Sequence, residues 1–298
     1  MLSAKYLLVR KGLRKQKADP SRSVEEMRKH MSRLARLFPA PKGTRSDPIT
    51  INGVHCEWVA TEATRDDGPI ILYFHGGGYV AGSPSSHRHL VSRLCSASCG
   101  RALVVDYRLA PEHIFPAQME DGLATYAWLL EKHSPDKVVV VGDSAGGGLA
   151  ISTLLAARKE KLAMPKAAVT MSGWFDCAGT GDSLTERATA DPILWPETIH
   201  LLASYFLGEQ DRTLPLASPL YADLTSLPPL LLQVGTDEVL FDDTTRFAQK
   251  AREAGVEVTV DIGEDLFHVW QFMARVLPEG EEAISRAGQF IMKMVPFN

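Results

Sequence analysis

Ser144 stands between two glycines in Gly142-Asp143-Ser144-Ala145-Gly146, directly after the run Val138-Val139-Val140-Val141. An apolar β-branched run that collapses into glycine, serine and glycine reads as a strand turning sharply into a helix. Glycines without side chains let strand and helix pack close together and lift the serine clear at the sheet edge. The helix N-terminus beside Ser144 brings unpaired amides and a dipole that favour developing negative charge. This setting suits a hydroxyl nucleophile that generates an oxyanion. Because a serine hydroxyl is a weak nucleophile, a base must lie within hydrogen-bond reach, itself oriented by a carboxylate.

Nine histidines are candidates for the base. His30, His133 and His200 fall in predicted helices, His55 in a predicted hairpin strand and His113 in a proline-rich loop, so each reads as a surface or packing residue. His87 and His89 have metal-like spacing but lack a third ligand in a recognisable pattern, and no metal site is expected. His268 is different. It ends Gly263-Glu264-Asp265-Leu266-Phe267-His268, just after a late strand, where a loop returns it to the crest of a sheet. An acid between serine and histidine in chain order falls in Gly235-Thr236-Asp237-Glu238-Val239-Leu240-Phe241-Asp242-Asp243. Asp242 and Asp243 read as the first residues of the next helix, which leaves Asp237 and Glu238. Asp143 is given a structural role, because successive residues of the turn cannot both aim at His268. Upstream, His75-Gly76-Gly77-Gly78 follows a buried strand, and its glycine amides either face a small anion as part of an oxyanion hole or form a flexible loop.

The elements that must position these residues are legible in the patterning. Ser23-Val24-Glu25-Glu26 matches a capping box, and Met27, Met31, Leu34 and Leu37 continue it at helical spacing. Asn52-Gly53 marks a hairpin between residues 49–51 and 54–60. Strands are predicted at 70–74, 102–105, 138–141, 167–171, 230–234 and 256–262. Helices are predicted between them and at 283–294, so the sheet is mainly parallel and covered on both faces. Residues 179–227 hold no strand but much apolar surface, with Pro196 placed to start a helix. A helical insertion there lies over the crevice where α/β ligands bind. The expected organisation is a helical segment at 1–45 that contributes to a cap, a catalytic domain at 46–178 and 223–298, and a cap insertion at 179–222. The bulk of Trp195, Tyr205 and Phe206 in that insertion predicts a pocket for short to medium acyl chains.

Composition excludes several classes. A formal net charge of -4 gives no reason to expect a nucleic acid partner. The basic cluster Lys5, Arg10, Lys11, Arg14, Lys15 and Lys17 reads as a solvated, partly mobile helix face rather than a membrane patch. No apolar stretch reaches the length of a membrane span, and basic residues interrupt any signal-peptide core, so a cytoplasmic protein is expected. Cys56, Cys95, Cys99 and Cys177 are too few and scattered for a disulfide framework, and Cys95 and Cys99 are expected on one helix face. The predicted strand at 256–262, near a possible sheet edge, suggests a homodimer.

His75-Gly76-Gly77-Gly78, Asp106-Tyr107-Arg108-Leu109-Ala110-Pro111-Glu112, Gly142-Asp143-Ser144-Ala145-Gly146, Ser218-Pro219-Leu220 and Leu227-Pro228-Pro229 together resemble the hormone-sensitive-lipase-like (bacterial family IV) esterases of the α/β-hydrolase fold. The resemblance covers residues 45–298. It implies a carboxylesterase that needs no metal or other cofactor, with Ser144 as nucleophile, His268 as base and the amides of Gly77, Gly78 and Ala145 as oxyanion hole. Many members have Asp-Pro-Leu-x-Asp at the acid. Aligning on the leucine sets Glu238-Val239-Leu240-Phe241-Asp242 in register and favours Glu238 over Asp237. The resemblance leaves room for an amidase or arylacetamide deacetylase. A non-catalytic receptor, which similar plant proteins represent, is disfavoured because serine, acid and histidine all occur in order.

Overall fold

The computed structural model describes residues 3–16 and 22–297. Lys17 and the side chains of Lys15 and Leu34, invoked above, lie outside the described residues. Helices α1 (Ala4–Gln16) and α2 (Val24–Leu37) precede the hairpin β1 (Arg45–Ile51) and β2 (Val54–Ala60). Strands and helices then alternate as β3 (Ile70–Phe74), α3 (Pro84–Ser98), β4 (Arg101–Asp106), α4 (Ala117–Lys132), β5 (Val138–Asp143), α5 (Ala145–Lys159) and β6 (Ala167–Met171). Two helices without a strand between them follow, α6 (Ser183–Glu186) and α7 (Pro196–Leu207). The alternation resumes with β7 (Leu230–Gly235), α8 (Phe241–Glu253), β8 (Val258–Gly263) and α9 (Pro278–Met294).

Among the described residues eight strands form one sheet in the order β1-β2-β4-β3-β5-β6-β7-β8. The hairpin pairs antiparallel onto β4, and every pairing from β4 to β8 is parallel. Parallel strands covered on both faces need continuous apolar sequence, which is why β5 is valine at four successive positions. Val138 and Val140 enter the core that includes Leu149 and Leu154 of α5 and Phe247 of α8. Val139 and Val141 enter the opposite core with Leu90 and Leu94 of α3 and Ile284 and Ile291 of α9. Gly142 pairs with Phe74 on one side and Thr170 on the other, so β3, β5 and β6 end level. Loops carrying the glycines, Ser144, Glu238 and His268 all leave the carboxyl ends of parallel strands, where ligands of open α/β sheets bind. The edge strand β8 begins two residues later than predicted, at Val258.

Two expectations are corrected. Cys99 does not share a helix face with Cys95; it ends α3 in the left-handed region, at φ 54°. The basic face of α1 is only partly solvated. Tyr6 is buried, stacks on Phe267 with ring centroids 5.3 Å apart and donates its hydroxyl to the carbonyl of Asp265. Arg10 pairs with Asp237 and donates to the carbonyl of Ala190, and Arg14 donates to the carbonyl of Thr189. Helical period explains the contrast: Tyr6, Arg10 and Leu13 share the face turned to the protein, leaving Lys5, Leu8 and Lys11 outside. The capping box of α2 forms, with the Ser23 amide donating to Glu26 at 2.9 Å and the Glu26 amide to Ser23 Oγ at 3.3 Å. Arg28 docks this helix, donating to the carbonyl of Val80 at 2.8 Å and forking onto the Glu112 carboxylate at 2.7 Å. Among the described residues no helix is long and apolar enough to cross a membrane.

Candidate active site

The turn after β5 holds Ser144 at φ 52° and ψ −123°, a conformation costly for a non-glycine residue and sustained only by its surroundings. A Cβ on Gly142 would lie 2.1 Å from the carbonyl oxygen of Gly146, and one on Gly146 2.1 Å from that of Phe74. No side chain fits at either position. The Ser144 amide is spent on the carbonyl of Met171 at 2.9 Å, while α5 starts at Ala145 with its amide free of intrahelical partners.

His268 reaches the serine from the loop after β8. Its Nε2 lies 2.9 Å from Ser144 Oγ, and its Nδ1 lies 2.9 Å from Glu238 Oε2. With Nδ1 donating its proton to the carboxylate, Nε2 presents a lone pair to the hydroxyl, the tautomer this geometry selects. Asp237 faces Arg10 instead. A glutamate reaches far enough because its other oxygen is anchored: Oε1 accepts from Ser172 Oγ at 2.8 Å and from the Gly235 amide at 2.5 Å. Ser172 Oγ in turn accepts from the Val269 amide at 3.0 Å, so one hydroxyl ties the acid to the histidine loop. Burial opposes the charged form of His268, but the hydrogen bond and charge of Glu238, with Asp191 and Asp143 behind it, outweigh that and raise its pKa.

The glycine run after β3 arches over the serine. Gly77 and Gly78 sit at φ 119° and 64°, and a Cβ on Gly77 would meet the carbonyl oxygen of Ala81 at 2.2 Å. Among the described residues the amides of Gly77, Gly78 and Ala145 have no backbone acceptor. Asp143 lies beneath this arch: its Oδ1 accepts from the Gly76 amide at 3.0 Å and from the Tyr73 hydroxyl at 2.7 Å, and His87 Nε2 stands 3.4 Å from Oδ2. Burial favours its protonated form, yet the charge and hydrogen bonding of His87 and Tyr73 hold its pKa below the usual value. His75 stacks on Tyr107 with centroids 4.3 Å apart, and burial lowers its pKa to about 3, so it stays neutral.

A cavity of about 250 Å³ opens above Ser144 and His268. Leu13 of α1 and Met31 of α2 line it from one side, and Ile193, Leu194, Ile199 and Leu202 from the segment between β6 and β7. Trp195, Tyr205 and Phe206, expected in the pocket from their bulk, do not line it. The face that α7 turns to the cavity carries Ile199 and Leu202; Phe206, one turn on, stacks on Tyr79 at 3.7 Å instead. Trp195 precedes Pro196 at the start of the helix, and Tyr205 is half-buried away from the cavity.

Sequence reasoning missed three residues here. Ser172 carries a faint signal, a serine at the end of a buried strand with a glycine directly after it. Asp191 is buried, and its carboxylate accepts from the amides of Ile193 at 2.8 Å, Leu194 at 3.0 Å and Val239 at 3.1 Å. It thereby ties cavity-lining residues to the loop of Glu238; its only local cue is Asp before Pro, a turn signal. His87 lines the cavity beside Asp143, and its spacing from His89 points only to a metal site, not to this role.

Comparison with known proteins gives a consistent answer. The family described as alpha/beta hydrolase fold matches residues 71–272. An acetyl-hydrolase of Streptomyces hygroscopicus is 45% identical over 246 residues, which cover 82% of each chain. The crystal structure of EstE5 soaked with p-nitrophenyl butyrate superposes with a TM-score of 0.95 at 42% identity, covering 99% of this chain and 100% of its own. An esterase from the bacterial hormone-sensitive lipase family does so with a TM-score of 0.95 at 40% identity, covering 99% of both chains. The likeness spans helices and sheet alike, and the chain belongs to the alpha/beta hydrolase fold family, among its hormone-sensitive-lipase-like esterases.

Proposed function

We propose that this carboxylic ester hydrolase works through an acyl-serine intermediate on Ser144, with His268 as general base and acid and Glu238 as the residue that orients it. The observation that carries this reading is the unbroken chain Ser144 Oγ to His268 Nε2 at 2.9 Å and His268 Nδ1 to Glu238 Oε2 at 2.9 Å. As Ser144 Oγ bonds to the ester carbonyl carbon, its proton passes to Nε2. The carbonyl oxygen becomes an oxyanion that accepts from the amides of Gly77, Gly78 and Ala145, each such donor stabilising the transition state by about 3 to 4 kcal/mol. The imidazolium then protonates the departing alkoxide. Water, deprotonated by the same nitrogen, cleaves the acyl-serine and restores the hydroxyl.

Short to medium acyl groups are the proposed substrates. Support comes from a cavity of about 250 Å³, just below the roughly 300–1,000 Å³ of pockets that hold drug-sized ligands, and from its apolar lining. The test is hydrolysis of p-nitrophenyl esters from acetate to palmitate by wild type and Ser144→Ala, without added metal. Activity that peaks at short chains and vanishes in the variant is expected. Rates that rise towards palmitate would overturn the chain-length reading, and a variant as active as wild type would overturn the mechanism.

A further inference from the structure

Among the described residues, the charged groups at the cavity are not all paired. Among the described residues its lining contains one carboxylate, Asp143, whose oxygens are taken by Tyr73, the Gly76 amide and His87 beneath the glycine arch. The two carboxylates behind the histidine are also spent, Glu238 on His268, Ser172 and Gly235, and Asp191 on three amides. Arg22 lines the same cavity, half-buried, and among the described residues its guanidinium has neither a hydrogen bond nor an ion pair. Glu26, the carboxylate that feels its charge, is turned onto the amide and hydroxyl of Ser23. His30 lines the cavity beside Arg22, and after burial the positive charges of Arg22 and Arg33 are what oppose its protonation. Among the described residues, one end of a largely apolar chamber therefore carries a cation with no hydrogen-bonded or ion-paired carboxylate, next to a neutral imidazole able to donate or accept a hydrogen bond.

We propose that Arg22, assisted by His30, selects esters that carry an anionic group, a carboxylate or phosphate, at the end of the substrate remote from the scissile carbonyl. A guanidinium is weakly hydrated and its planar fork matches both anions, so an anion displaces little bound water and gains paired hydrogen bonds. The apolar walls, Leu13 and Met31 among them, flank the pair and leave it screened less than a fully exposed surface pair. This deepens the reading of the protein as a serine esterase and rests on it. Neutral esters enter the same chamber and are cleaved, with the cation unused.

The experiment compares two matched substrate pairs, each a neutral ester and its carboxylate-bearing counterpart. In one pair the charge sits on the alcohol (phenyl acetate and 4-acetoxybenzoate), in the other on the acyl chain (p-nitrophenyl valerate and p-nitrophenyl hemiglutarate). The quantity read is the ratio of kcat/KM for the anionic over the neutral member. In Arg22→Gln that ratio falls about two- to fivefold for at least one pair, and Arg22→Lys restores part of it. For wild type, raising salt from about 0.05 to about 0.5 M lowers the ratio for the same pair, because the encounter is ionic. A ratio unchanged by Arg22→Gln and by salt in both pairs overturns the selection of anionic esters. Absence of hydrolysis of both neutral esters by wild type instead overturns the esterase mechanism, so the two failures are distinguishable.

Discussion

The two sides of the cavity are built differently. Below it, Ser144, His268 and Glu238 hang from the ends of parallel strands, His268 and Glu238 buried and Ser144 half-buried, fixed by the strained backbone of Ser144, by its amide donating to the Met171 carbonyl, and by hydrogen bonds from Ser172 and Gly235 onto Glu238. Above it, α1 and α2 are held by apolar contact and by the forks of Arg10, Arg14 and Arg28, several of whose partners are half exposed. The difference separates two tasks. Chemistry needs groups held to tenths of an ångström, whereas admitting a substrate needs a wall that gives way at modest cost.

That contrast is sharpened most by the acid. Glu238→Ala is expected to lower kcat by about 10³- to 10⁴-fold, while Asp237→Ala, which loses only its pair with Arg10, keeps turnover within about threefold of wild type. Steady-state hydrolysis of p-nitrophenyl butyrate reads both, and the reverse order would move the acid to Asp237. A smaller effect is expected at Ser172. Ser172→Ala removes one of the hydrogen bonds on Glu238 and lowers kcat about ten- to a hundredfold with KM little changed. The pH profile supplies the second readout. As the proposed base His268 must be neutral, and its pKa is raised, so kcat/KM is expected to fall as pH drops through a midpoint above the ordinary value of about 6.5. Without the Ser172 hydroxyl the carboxylate holds the imidazolium more strongly, and the midpoint moves further up. A loss of kcat with an unmoved midpoint would reduce Ser172 to a packing role. The smallest effect belongs to the upper side. Arg10→Ala costs about 1 kcal/mol or less and leaves turnover within about twofold, but residues 3–16 become faster targets in limited proteolysis. A collapse of turnover comparable to that of Glu238→Ala would erase the distinction between the two sides.

The lower side was the more legible from sequence, for a physical reason. Gly142, Gly146 and the run from Gly76 to Gly78 are dictated by local backbone geometry, so their spacing announces the turn and the arch. Strand order and the placing of His268 after a late strand follow from alternation that any parallel sheet imposes. Ser172 and Asp191 act across tens of residues through one hydroxyl and one carboxylate, and such contacts leave no periodic trace. The upper wall failed differently. Size alone points to Trp195, Tyr205 and Phe206, but a helix presents a face, and the phase of α7 turns Ile199 and Leu202 to the cavity. The fold of α1 onto Asp237 and Phe267 was hidden for the same reason, since charge composition alone cannot say which arginines turn inward.

Asp143 gives the molecule a division of evolutionary labour. By holding the Gly76 amide while sitting next to Ser144 in the chain, it welds the arch and the nucleophile turn into one block, and a Cβ on Gly76 would come within 2.3 Å of its carboxylate. A single substitution in that block damages both halves at once, so it offers selection almost no gradual path. Diversification of substrate range is thereby channelled into α1, α2 and the stretch from Asp191 to Leu202, and a mutant library aimed at new esters is best spent there.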